Sequence, residues 1–325
     1  MTHFRPFRNG DPPALADLWN RGLPEHEVAR PLSAHEFDAQ VAGKLHFEAE
    51  GLIVAERDAR LVGFAHAGFG PDDPLAPLHR LNHALGTVAM VVVEPGPEDP
   101  ELERGLIAEA QRYLRRRGAT VLYAGGQFPL NPFYWGSYGG SEFAGILSAH
   151  VAFGRAVVAS GYEPVSTTEL LEVDLSAPEP RDPRAPLIRR QARIEVVEDA
   201  MPAHWWEALA IGAFRPTCFR LLSKADDLEL ARATTWDMGG WGHGDDAARI
   251  GLIGLEVHPE HRRTGFGRHV IGEILRHARE QRIASVADQT RSTNLPALSL
   301  YESLGFAPAE TATLYRLPAS ASSPA

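Results

Sequence analysis

The stretch HPEHRRTGFGRHV, residues 258–270, follows an apolar run, RIGLIGLEV (249–257). After it, Val270, Ile271, Ile274, Leu275 and Ala278 recur at helical spacing. Pro259 cannot donate to a ladder and ends the strand. Residues 262–268 therefore form a strand-to-helix turn at the amide-rich, positive end of a helix. Gly265 and Gly267 let an anion approach the backbone with no Cβ in the way. Arg262, Arg263 and Arg268 add charge. The pattern suits a diphosphate. It is neither a G-x-G-x-x-G dinucleotide turn, whose third glycine is missing, nor a Walker loop, which needs G-K-[ST].

Downstream runs NLPALSLYESLGF, residues 294–306. Together the two stretches resemble the GNAT superfamily of acyl-CoA-dependent N-acyltransferases. Arg262, Gly265 and Gly267 meet its pyrophosphate signature, and Asn294, Ala297, Tyr301, Gly305 and Phe306 meet its later one, in the order and spacing the family requires. The resemblance is specific over about 248–310, extends by layout to 194–318, and over 1–175 rests on layout alone. It implies acetyl-CoA as acyl donor. The backbone of Leu255 and Val257 would pair with the pantetheine arm. The amides of Arg263, Thr264, Gly265, Phe266, Gly267 and Arg268 would hold the diphosphate. Asn294 would meet the cofactor arm or order its helix, and Tyr301 would protonate the departing sulfur. The base is less defined. Glu256 lies on the signature strand, pointing opposite to its neighbours; His258 and His261 are further candidates, and all three are equally compatible with polar surface.

The rest of the chain repeats this layout. HFRPF and RIEVVE each precede a helical stretch, PPALADLWN and HWWEALAIGAF. The most apolar strands, TVAMVVVEP and RIGLIGLEV, each precede a long amphipathic helix and a further strand, TVLYAGG and IASVADQ. Both halves close on a glycine-aromatic pair, Gly161-Tyr162 and Gly305-Phe306. Repeated order with diverged residues indicates duplication of one α/β unit. Two domains are expected, 1–175 and 194–318, each a mixed, mostly antiparallel twisted sheet flanked by helices. Residues 176–193, with prolines at 178, 180, 183 and 186, read as a linker without helix or strand. The first half carries an insertion at 126–149, read as a packed loop or as a substrate- or partner-facing surface. Its turn departs from the pattern: Glu101 and Glu103 stand where the second half has glycines, and carboxylates there repel a diphosphate. One acyl-CoA site per chain follows.

Composition sets outer bounds. The 325 residues carry a formal net charge of -10, which disfavours non-specific nucleic-acid binding. The single cysteine, Cys218, excludes an intramolecular disulfide and a cysteine zinc site, and fits a cytoplasmic location. No metal and no membrane span are expected. Trp205 and Trp206 cannot both face the core of one helix. The 234–246 segment, with Trp236, Trp241, Asp237, Asp245 and Asp246, is a candidate aromatic and acidic mouth for a cationic amine, or a solvated hairpin. The expectation is a tandem GNAT N-acyltransferase acting on a primary amine by direct attack, with the active site in the second half. The alternative is a non-catalytic acyl-CoA-binding or partner-binding module. The amine and the oligomeric state are left open.

Overall fold

The computed structural model describes residues 1–23, 29–76, 78–239 and 248–319. Trp241, His243, Asp245 and Asp246 of the expected acceptor mouth lie outside the described residues, as does the tail from 320. The first half comprises β1 (His3–Pro6), α1 (Pro12–Gly22), α2 (Ala34–Phe37), β2 (Leu52–Arg57), β3 (Arg60–Pro71), β4 (Leu81–Val93), α3 (Pro100–Arg116), β5 (Val121–Ala124), β6 (Ile146–Leu147), α4 (Val151–Ala159) and β7 (Glu163–Asp174). The second comprises α5 (Ala185–Gln191), β8 (Ala192–Val197), α6 (Trp205–Ile211), β9 (Thr217–Ser223), β10 (Glu229–Asp237), β11 (Arg249–Val257), α7 (Phe266–Glu280), β12 (Ser285–Arg291), α8 (Leu295–Glu302) and β13 (Ala307–Arg316).

The strands form one continuous sheet, ordered β1-β2-β3-β4-β5-β13-β7-β12-β11-β10-β9-β8, with β6 beside β13. Among the described residues only β4 with β5 and β11 with β12 run parallel, and every other pairing is antiparallel. The last strands of the halves are exchanged. β13 pairs with β5 of the first half, and β7 pairs with β12 of the second. The two exchanged strands also pair with each other from Ala307–Glu172 to Arg316–Glu163. The two sheets that the repeat predicts are thus joined edge to edge.

Side-chain alternation explains the layers. Along β2, Leu52 and Val54 enter one core with Phe64, Met90 and Trp19, while Ile53 and Ala55 enter another under α3. Both faces of this strand are covered, so it reads as a continuous apolar run. In the second half, Val270, Ile271, Ile274 and Leu275 of α7 are buried against Leu252, Phe219 and Val286 of the sheet. Each fully buried aliphatic side chain of this kind contributes roughly 1.5–3 kcal/mol.

The linker differs from expectation. Residues 185–191 are helical, and β8 begins at Ala192. The prolines do not prevent this, because Pro186 falls in the first turn, where a missing N–H costs no intrahelical bond. Ile188 anchors the helix in the second core. The linker therefore belongs to the folded body. The insertion is mostly packed: Tyr134, Trp135, Tyr138 and Phe143 are buried.

The exchanged strands yield a test. Cleavage of the backbone between 177 and 183 leaves two pieces that still share the β7–β13 ladder. They are expected to co-migrate on gel filtration and to unfold in one cooperative transition. Separation into two folded monomers would contradict the exchange.

Candidate acyl-CoA site

The parallel pairing of β11 and β12 is short. It runs through Arg249–Ser285, Ile250–Val286 and Gly251–Ala287, and beyond it the strands diverge. Residues 252–257 keep β10 on their other edge, with a register shift opposite Arg232 and Thr234 and a left-handed Gly254 (φ 62°). On the β12 side the edge of 252–257 is open, so its amides and carbonyls can pair with an extended ligand arm. Leu255 and Val257 point toward α7, near Gly267, and Glu256 points the other way.

The open V leads to the N-terminus of α7. Gly265, its N-cap, has φ 99° and supplies no capping side chain. Arg263 before it is also left-handed, φ 64°. A Cβ at Gly267 would lie 3.3 Å from Val257 Cγ2, so the glycine lets the helix start close against β11. The first-turn amides have no intrahelical partner. A cleft of about 830 Å³ runs here, lined by Leu255, Glu256, Val257, His258, Arg262, Arg263, Asn294, Ala297 and Leu300 among others.

The sequence-derived residues divide by role. Arg262 and Arg263 are exposed on the cleft. Arg268 turns away, donating to the Ser303 hydroxyl and, at 3.1 Å, to the Ser303 carbonyl, so only its amide faces the turn. Phe266 is buried in the core and Thr264 donates to the His261 carbonyl at 2.6 Å. Asn294 caps α8, accepting from the Ala297 amide, and also lines the cleft. Arg184 of the linker, which the sequence did not flag, packs at Gly265: its Cδ lies 3.3 Å from a Cβ built there.

Tyr301 sits at the closed end of the V. Its ring meets Phe306 at 5.3 Å and is buried, while Leu300 lines the cleft beside it. Its hydroxyl faces Asp288 of β12. Burial and this carboxyl raise the phenol's pKa, which keeps it a neutral donor. Asp288 is itself buried, and desolvation lifts its pKa well above the carboxylate range. Its Oδ1 accepts from the Gln289 amide at 2.6 Å, and its Oδ2 has no partner with hydrogen-bond geometry. A buried acidic residue in the apolar strand IASVADQ was the legible signal for it. Glu256, by contrast, is exposed and paired to Arg232 at 2.8 Å. His258 and His261 stand 5.6 Å apart, ring to ring, on the same turn. Among the described residues no group of three His, Cys, Asp or Glu is arranged to hold a metal, and no helix is long and apolar enough to cross a membrane. Of the two tryptophans on α6, Trp206 is core and Trp205 stacks on His79 of the first half at 4.7 Å.

The equivalent place in the first half is closed by its own charges. Asp99 caps α3, accepting from the Leu102 amide, and is held by Arg57 at 2.8 Å. That guanidinium keeps the Asp99 carboxyl below its usual range. Glu103 is buried and bound by Arg155, which also reaches Glu98 at 2.5 Å. An internal carboxylate thus takes the anion's position at this helix end.

Residues 196–306 match the family model described as the acetyltransferase (GNAT) family. No curated protein matches the chain. Three solved structures are similar over nearly all of it. A tandem GNAT protein from the clavulanic acid biosynthesis pathway has 17% identity and TM-score 0.67, with 99% of this chain and 100% of that one covered. A GCN5-related N-acetyltransferase from Sphaerobacter thermophilus has 14% identity and TM-score 0.62, with 97% and 95% covered. A GCN5-related glucosamine N-acetyltransferase region of a fungal multi-domain GH3 β-N-acetylglucosaminidase has 13% identity and TM-score 0.70; 97% of this chain covers 38% of that one. Residues 196–306 form a GNAT domain, and the chain as a whole shares the two-domain fold of the tandem GNAT structure.

The contrast between the two helix ends predicts stoichiometry. Calorimetric titration with acetyl-CoA is expected to give one site per chain. A value near two would mean that Asp99 and Glu103 yield their partners to a diphosphate.

Proposed function

We propose that the chain is an N-acyltransferase that moves an acetyl or similar short acyl group from CoA to a primary amine, with its active site in the second domain. The observation that carries this reading is the V between β11 and β12, which opens onto the uncapped N-terminus of α7. A pantetheine arm along the open edge of 252–257 brings the thioester toward the apex, while the diphosphate rests on amides 263–268 with Arg262 and Arg263 beside it. The division into 1–175, a joining segment 176–193 and a catalytic 194–318 is part of the proposal, as is a cytosolic setting.

Transfer requires a neutral amine, a fixed thioester and a proton for the departing thiolate. Tyr301, neutral and at the apex, supplies that proton as charge develops on sulfur. Glu256 is on the cleft rim, but its pairing with Arg232 must be released before it can take a proton. The seclusion of Tyr301 from the cleft also favours a second reading, a module that binds acyl-CoA without turnover.

Thiol release separates the two. A panel of amino acids, polyamines, aminoglycosides, glucosamine and peptide amines is expected to contain at least one acceptor that triggers CoA release. Glucosamine enters because one similar fold acts on it. Tyr301→Phe removes one hydroxyl and is expected to lower turnover about 100-fold or more, with acetyl-CoA affinity near normal. Turnover at the wild-type level would remove Tyr301 from the acid role, and no release with any amine would leave the binding reading.

A further inference from the structure

The apex of the V in the second half is covered by a loop from the first half. Residues 139–145 of the insertion lie across β10, β11 and β12. Trp236 of β10 donates its indole N–H to the Ser141 carbonyl at 2.9 Å. A Cβ at Gly251, the last residue paired before the strands diverge, would lie 3.1 Å from Ser141 Cβ. A Cβ at Gly140 would lie 3.0 Å from Gln289 Oε1 and 3.2 Å from Leu170. The loop is seated by a ring of close approaches that only small residues allow.

Glu142 is the ionisable residue of this loop. The residue as a whole is half-buried. Its carboxyl takes a hydrogen bond from the Gln289 side chain of β12. Asp288 on the same strand, Tyr301 of α8 and Glu207 of α6 also act on it or are acted on by it electrostatically. Desolvation, with Glu207 adding to it, pushes the Glu142 carboxyl up to about 7. Among the described residues no cation holds it, in contrast to Glu256, whose partner is Arg232.

We infer that Glu142, supplied by the first half, is the proton acceptor for the amine at the second half's site, and that the acceptor is a cationic primary amine entering on this loop's side of the V. The inference rests on the acyltransferase reading above. Glu142 as carboxylate takes one proton from the ammonium. The freed lone pair attacks the thioester carbonyl carbon. The C–S bond breaks with its electron pair on sulfur, which takes the Tyr301 proton. The surplus proton on the adduct nitrogen restores the phenol, and Glu142 returns its own to solvent, for a net release of one proton. A base near 7 suits this task, since about half of it is unprotonated at neutral pH and it is still basic enough to accept. Glu207 and Glu142 together draw a cation to the mouth.

The test is the pH profile of kcat/KM for an acceptor amine in wild type, Glu142→Gln and Glu142→Asp. Wild type uses the ammonium with Glu142 ionised. Its profile rises through about pH 7 and then stays level up to the pKa of the amine. Glu142→Gln is nearly isosteric and must use the free amine. Its rate is expected to be about 100-fold or more lower at pH 7 and to climb tenfold per pH unit up to the amine's own pKa. Acetyl-CoA affinity should be unchanged, which reports an intact second half. Glu142→Asp should keep a level region at a reduced rate. Wild-type rate and profile in Glu142→Gln overturn the inference, as does transfer of the same loss to Glu256→Gln. Absence of amine-dependent thiol release in wild type overturns the acyltransferase reading itself, and the inference with it.

Discussion

The antiparallel ladder between β7 and β13 holds the two halves as one molecule. It joins strands more than a hundred residues apart, and each is also an interior strand of the other half's sheet. Cross-strand pairs contribute only about 0.2–1 kcal/mol each, so the ladder's strength is in its number of pairs and in the edges it removes. Arg249 of β11 reinforces it by gripping Glu172 of β7 through both carboxylate oxygens, at 2.6 and 2.7 Å. Without these two strands, β5 and β12 would each end a sheet on an exposed edge. The base of the V would then lose the strand that braces it.

The exchange also explains why one half can become a supporting piece. In the second half, a side-chain-free cap leaves the α7 amides available to a ligand. In the first, Asp99 satisfies the matching helix end, and Arg57 and Arg155 neutralise the acids around it. The same local feature, a helix N-terminus after a parallel strand, is left uncapped in one half and capped by a carboxylate in the other. The first half then contributes in another way, by packing its insertion against β10 and β12. Lys44 shows how tightly the halves are sealed: its ammonium donates to the Pro132 and Ala210 carbonyls, and burial lowers its pKa to about 7. Trp206 of α6 likewise donates to the Pro129 carbonyl at 2.8 Å.

The strand-turn-helix unit at 249–278 was legible because its geometry is local. A strand end, two glycines and an apolar helix stripe lie within thirty residues, and backbone geometry follows from residue type at that range. The acidic character of the first half's turn was legible through Glu103, whereas Asp99, which caps α3, was not singled out and Glu101 is exposed. The helical linker was missed because proline was counted without its position: Pro186 occupies a first turn and costs little there. Asn294 had two possible roles in sequence, and its hydrogen bond to Ala297 shows that it caps α8.

By itself, the sequence determined the duplicated α/β layout, the glycine turn that opens α7 and the acidic turn that replaces it in the first half. Each depends on contacts between near neighbours in the chain. Only the tertiary structure decided which half receives which last strand, that Arg268 turns to Ser303, and that Glu142 meets Gln289 across nearly 150 residues. Those outcomes depend on sheet-edge pairing and on the burial of charge between distant segments. Neither leaves a periodicity or a spacing in the chain, because the partner's distance in sequence is set by the fold and not by local geometry.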